Sequence, residues 1–342
     1  MNRLTAHSDI GISLARLDDH DLAGLVASGR ALGTGIGGRA TLVEAAGRPV
    51  FVKRVPLTDI ERHPDHVRST ANVFGVPTYC HYGIGAIGGP GFGAWRELSV
   101  HTMTTDWVLS GRYTGFPLLH HWRVLPDSPQ PLPAELADVE RTVAYWGPGV
   151  RERVEGLRTA SASLALFLEY VPYTLHDWLD VQVRTSHADR ACSLVERGLR
   201  SVTDFLHARE LLHFDAHFKN ILTDGRQLYL ADYGLSLSAR FQLAPHERDF
   251  FARHRHYDRA YTASYLVNWL TVALHGYGPD DRRSFIEACA EGMRPRGIPR
   301  AAASILVRHA RVASLMGDFD RRFQRESRTT PYPTDELRLA SA

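Results

Sequence analysis

Between residues 163 and 212 the hydrophobic pattern of this 342-residue chain changes its period. The run SLALFLEYV (163–171) is apolar at nearly every position and of strand length, so it reads as a buried strand. Beyond it, within 189–212, Val195, Leu199, Val202 and Leu206 recur at i, i+4, i+7 and i+11, along one face of a long helix. Upstream, ATLVEA (40–45) and PVFVKRV (49–55) are β-branched strand candidates around the turn residues AGRP. FPLLHHWRVLP (116–126) reads as a further strand, and WRELSVHTMTTDWVLSG (95–111) as a helix closed by Gly111. Downstream, 175–183, 258–275 and at least two segments beyond 280 read as helices. A strand-rich half joined to a helix-rich half near residue 172 is an α+β arrangement, with a cleft between lobes as the expected ligand site.

This layout divides the chain into four parts. Residues 1–29 are a helical or irregular lead-in, and 30–171 form the strand-rich part, with insertions near 57–94 and 126–162. Residues 172–325 form the helical part, and the polar stretch 326–342 is expected to be disordered.

The net charge of +2 and the absence of long like-charge blocks point away from a nucleic-acid partner. Cys80, Cys192 and Cys289 are far apart, which fits buried thiols rather than a disulfide framework or a zinc site. The first residues carry charges throughout and lack an apolar signal core. No run reaches the roughly 18 apolar residues of a membrane helix, so a cytoplasmic protein with no membrane partner is expected.

Of 40 basic residues only two, Lys53 and Lys219, are lysines. An Arg- and Ala-rich bias of this kind suggests a GC-rich, bacterial coding background. Lysine is a compact point charge and arginine a planar fork, so a site that needs the compact ammonium keeps its lysine. Lys219 lies in HFDAHFKN (213–220). A metal site formed by His213, Asp215 and His217 would need an extended segment and further His or Cys ligands, which are absent nearby. A packed core element would leave Asp215 and Asn220 without a reason.

GTGIGG (33–38) fits G-x-G-x-x-G through Gly33, Gly35 and Gly38, and lies between strand-like segments, the second carrying Lys53. GIGAIG (83–88) fits the same pattern and reads as a plain loop. His213-Phe214-Asp215 is followed five residues after the aspartate by Asn220, and ADYGLS begins 16 residues after Asp215, at Ala231. In this order the segments resemble the glycine loop, lysine strand, His-Arg-Asp-x-x-x-x-Asn catalytic loop and Asp-Phe-Gly motif of the protein kinase superfamily. DRAYTASYLVNWL, opening at Asp258, resembles the helix that supports the catalytic loop.

The resemblance implies a bilobal kinase-like fold and ATP with Mg2+ as cofactors. It implies Asp215 as the catalytic base, with Lys219 meeting the γ-phosphate. Gly33, Gly35, Gly38 and Lys53 would hold the phosphates, Glu97 would pair with Lys53, and the backbone of Glu169 to Val171 would grip adenine. Asn220 and Asp232 would be the metal ligands. Glu61 is nearer Lys53 in sequence but lies almost on top of the lysine strand. Phe214 stands where the family has arginine, which puts control by loop phosphorylation in doubt, and APHE (244–247) only echoes Ala-Pro-Glu. His217 resembles aminoglycoside and choline kinases at that position. The expected function is an atypical Ser/Thr-type protein kinase with a hydroxyl acceptor. A small-molecule kinase and a pseudokinase binding module are the alternatives.

Overall fold

Alternation along one strand sets the first sheet. In β3, Val50 and Val52 point to one face, and Phe51, Lys53, Val55 and Leu57 to the other. The computed structural model describes residues 3–85 and 87–341. They form two compact units of mixed α+β type. The first takes in the chain up to Val171 with Asp232–Ser236 and Arg240–Pro245; the second takes in Pro172–Ala231, Leu237–Ala239 and the chain from His246 onward.

The first unit runs α1 (Arg3–Ala15), α2 (Asp19–Ser28), β1 (Arg30–Gly35), β2 (Gly38–Ala45), β3 (Arg48–Leu57) and α3 (Asp59–Arg62). It continues through α4 (Ala94–Leu109), β4 (Leu119–Pro126), α5 (Val139–Trp146), α6 (Arg151–Thr159) and β5 (Ala162–Glu169). The strands form one sheet in the order β1-β2-β3-β5-β4, every neighbouring pair antiparallel. Ile10 and Leu14 of α1 and Leu22 and Val26 of α2 pack with Val50, Val52 and Phe167. The lead-in is therefore the cover of one sheet face. Trp95 and Leu98 of α4 pack with Val55, Leu57 and Leu164 on the other face.

A buried carboxylate ties down the stretch 57–94. Glu61 closes a capping box with Thr58 and accepts the Ala94 N–H at 2.6 Å and Arg153 of α6 at 2.8 Å. It is thus an anchor between α3, α4 and α6, and Lys53 is paired elsewhere.

The second unit contains β6 (Tyr173–Thr174), α7 (Leu175–Gln182), α8 (Ala188–Ala208), β7 (Leu211–Leu212), β8 (Ile221–Thr223) and β9 (Leu228–Leu230). β10 (Leu237–Ser238), α9 (Pro245–Arg253), α10 (Tyr257–His275), α11 (Pro279–Ala290), α12 (Arg300–Arg325) and α13 (Thr334–Ser341) follow. Val195, Leu199, Val202 and Leu206 are the buried face of α8. Two short ribbons, β6-β8-β9 and β10-β7, flank the segment 213–220.

The described part of 326–342, which ends at Ser341, differs from the disorder expected of that stretch. Leu337 of α13 is buried, and the Tyr332 ring lies 4.7 Å from His254, 5.4 Å from Tyr257 and 5.4 Å from Phe319. Two apolar anchors suffice to order a segment whose composition is otherwise polar, because each buries area against a core already in place.

Candidate functional site

Lys53 of β3 is 7% exposed, and its Nζ donates to Glu97 Oε1 at 2.7 Å and to Asp232 Oδ1 at 2.8 Å. Glu97 sits in the first turn of α4, where a helix N-terminus favours an anion, and is 2% exposed. The Asp232 side chain is 40% exposed, so it is the member of the trio that faces solvent. Burial works against the Lys53 charge, but the Asp232 and Glu97 carboxylates outweigh it and hold its pKa well above the ordinary range. One ammonium between two carboxylates leaves the cluster with one net negative charge, a setting that suits a cation beside Asp232.

The residues around this trio fix its geometry. Asp232 has φ +64°, a left-handed conformation that aspartate adopts more readily than most residues. Next to it, the Tyr233 ring lies edge-on to His101 of α4 at 4.7 Å, and its hydroxyl bonds to Thr104. Burial of Tyr233 thereby locks Asp232 against α4.

β1 and β2 meet in a two-residue turn at Ile36–Gly37, with Gly35 opposite Gly38. A Cβ at Gly38 would lie 2.1 Å from the Arg54 carbonyl oxygen, and one at Gly37 would lie 2.8 Å from Lys53 Nζ. Gly37 is thus the glycine that lets the turn close over the ammonium. The G-x-G-x-x-G pattern counts it as a free position, and only the three-dimensional approach reveals it. In the second glycine match, Ile84 and Gly88 offer their carbonyls to Tyr145 and Trp146 of α5, which is a packing role; Ala86 lies outside the described residues.

Within the expected grip at Glu169–Val171, one backbone donor is already taken. The Glu169 N–H donates to the Leu118 carbonyl at 2.8 Å, so the sheet has already used it. The Glu169 carboxylate is held by Arg3 of α1 at 2.6 Å and accepts the Leu118 N–H. Arg3 also reaches the Thr114 and Phe116 carbonyls. Val171 is half-buried and ends the first unit's long segment.

In the second unit, Asp258 of α10 accepts the N–H groups of His213 at 2.7 Å and Phe214 at 2.9 Å. Phe214 has φ +65° and is fully buried among Phe250, His254 and Tyr257. A bulky residue in that conformation is strained, so packing and the Asp258 carboxylate must hold it. His213 Nε2 faces the Ala231 carbonyl at 3.0 Å while its Nδ1 faces the Asp215 N–H at 3.2 Å, which assigns the proton to Nε2. Asn220 Nδ2 donates to the Asp215 carbonyl and to Asp215 Oδ2, each at 3.0 Å. Both partners are acceptors, so the amide orientation is settled, and Oδ1 is left with no donor among the described residues.

His217 Nε2 stands 3.8 Å from Asp215 Oδ1, too far for a hydrogen bond. Burial, and then the nearby Asp215 charge, push the Tyr261 and Tyr265 phenols up, so both stay protonated beside that carboxylate. Lys219 is exposed, and its ammonium has no partner among the described residues.

Asp258 offers a direct test. Burial raises its pKa to about 6 despite the two N–H groups that favour the anion. Asp258→Ala leaves two buried donors unpaired at about 1–3 kcal/mol each, measurable by urea unfolding. Between pH 3.8 and about 6 the folded state holds more proton than the unfolded state, so this group's contribution to stability falls as pH rises. The stability gap between wild type and Asp258→Ala should therefore narrow between about pH 4 and 7; a widening gap would contradict the assigned burial effect.

No protein-family profile matches the chain, and no curated protein matches it.

Proposed function

We propose that the chain is an ATP- and Mg2+-dependent phosphotransferase with a bilobal protein kinase-like fold, passing the γ-phosphate to a hydroxyl. The observation that carries the proposal is the Lys53 ammonium at 2.7 Å from Glu97 and 2.8 Å from Asp232. Lysine scarcity and the kinase-like spacing single out Lys53 independently.

In this reading Lys53 engages the nucleotide phosphates, steadied by Glu97. Asp232 of the first unit would hold magnesium through its carboxylate, a hard oxygen donor of the kind that ion takes, and Asn220 Oδ1 of the second unit is a donor of the same kind. Bound there, the metal offsets negative charge on the phosphates. Among the described residues no three His, Cys, Asp or Glu side chains form a metal-binding group of their own. Asp215 accepts the acceptor's proton while the acceptor oxygen bonds to the γ-phosphorus and the bond from that phosphorus to the β-phosphate oxygen breaks, releasing ADP. The two N–H bonds to Asp258 and the Asn220 contact hold Asp215 for that task.

A protein hydroxyl is the first acceptor class in this proposal. A small-molecule hydroxyl is the second, favoured by His217, which resembles the aminoglycoside and choline kinases at that position. Incubation with γ-labelled ATP, with and without cell extract, separates them: label is expected on protein for the first class and in the small-molecule fraction for the second. Nucleotide binding with no label transfer in any fraction would leave a binding module and overturn the phosphotransferase.

A further inference from the structure

Lys53 and Arg54 are consecutive on β3 and so face opposite sides of the sheet. Arg54 stands directly across from Arg39 of β2, a like-charge cross-strand pair that would repel if left alone. Asp127, just after β4, bridges them: it is 2.5 Å from Arg39 and 2.8 Å from Arg54. Arg54 is further occupied by Ser163 Oγ at 2.9 Å and the Pro126 carbonyl at 3.1 Å. Arg39 has Asp127 as its one hydrogen-bonding partner among the described residues, and most of its guanidinium donors remain unused.

These three side chains border a cavity of about 330 Å3 within the first unit. Pro131, Leu132, Pro133 and Leu157 supply its apolar wall, and Gly35 and Ile36 of the hairpin tip form its rim. Two guanidinium groups and one carboxylate give the polar end a net charge of +1. That volume is at the lower end of small-molecule sites, which combine an apolar lining with a few placed polar groups.

We propose that this cavity binds a small organic oxyanion, a carboxylate or phosphate monoester on an apolar body. The anion meets the unused donors of Arg39, and the body lies along Pro131–Pro133. The site is separate from the Lys53 cluster, since its Arg39, Arg54 and Asp127 lie on the other sheet face; the hairpin tip and, at one end of β5, Ala162 are where it approaches the Lys53 face. A ligand seated there restrains the tip that closes over Lys53.

The test is calorimetric titration of the full chain with phenyl phosphate and with 4-phenylbutyrate, with phenethylamine as the cationic control. At least one anion is expected to bind and the amine is not; the anion that binds distinguishes the phosphate from the carboxylate source. Arg39→Gln should weaken anion binding by at least about tenfold, through loss of a charge-assisted hydrogen bond. Asp127→Asn should strengthen it, because a competing carboxylate is removed. Hydrogen exchange at residues 34–38 should slow on saturation. The proposal is overturned if neither anion binds, if the amine binds as well as the anions, or if binding survives Arg39→Gln. Weaker binding in Asp127→Asn overturns it as well.

Discussion

Asp215→Ala is expected to lower phosphoryl transfer by at least about 10²-fold, the scale of losing a positioned base, with nucleotide affinity retained. The side chain is 29% exposed and lies in a loop whose backbone is held by other groups, so the fold should tolerate its loss. Asn220 keeps the backbone carbonyl of position 215 as an acceptor at 3.0 Å and loses only the carboxylate contact. Asn220, the magnesium ligand of the proposal, therefore stays near its place while the proposed base is gone. Single-turnover transfer of label from γ-labelled ATP, alongside calorimetric nucleotide binding, reads the two effects separately. Wild-type transfer in this variant would sink the assignment of Asp215. Equal loss of nucleotide binding would mean that the carboxylate serves the phosphates or the metal instead.

Lys53→Met is expected to abolish tight nucleotide binding and also to destabilise the first unit by about 3–5 kcal/mol, the cost of breaking a buried ion pair from one side. The penalty falls on Glu97, which is 2% exposed and would be left as a buried charge. Asp232, 40% exposed on its side chain, can turn to water. Adding Glu97→Leu should then recover part of the stability without restoring nucleotide binding, a sign reversal that a double-mutant cycle in urea detects. If the double variant is less stable than Lys53→Met alone, the orphaned charge is not the source of the cost. Lys53→Arg keeps the charge but is expected to fail too. A Cβ at Gly37 would already lie 2.8 Å from Nζ, so the turn leaves little room for a planar guanidinium. Because the folded pKa of Lys53 is raised above 10.5, the pair's stabilisation is intact below that pH and is lost only as pH climbs through the raised value.

These expectations separate what is local from what is not. The contact between Asn220 and Asp215 spans five residues, and such a spacing can be read directly from HFDAHFKN. The long helix α8 and the strands β2, β3 and β5 follow from 3.6- and 2-residue periodicity in the same way. Lys53 stood out because a chain rich in arginine retained it. Glu97 was reachable from its place in the first turn of a helix, although Glu61 lies closer in sequence. The role of Glu61 was not legible, since its partner Arg153 is 92 positions away. Nor was the use of the Glu169 N–H by Leu118, because a strand's hydrogen bonds depend on which neighbour it acquires.

The sequence by itself determined the type of most elements, the α+β class and the spacing inside the 213–220 loop. All three depend on interactions between near neighbours along the chain. Only the tertiary structure decided that Lys53 lies between carboxylates 44 and 179 residues away, that Gly37 rather than a motif glycine covers it, and that Tyr332 and Leu337 order the C-terminal stretch. The physical reason is common to these cases. A buried charge or ring is stabilised by whatever the packed core brings within a few ångströms of it, and local periodicity carries no record of that partner.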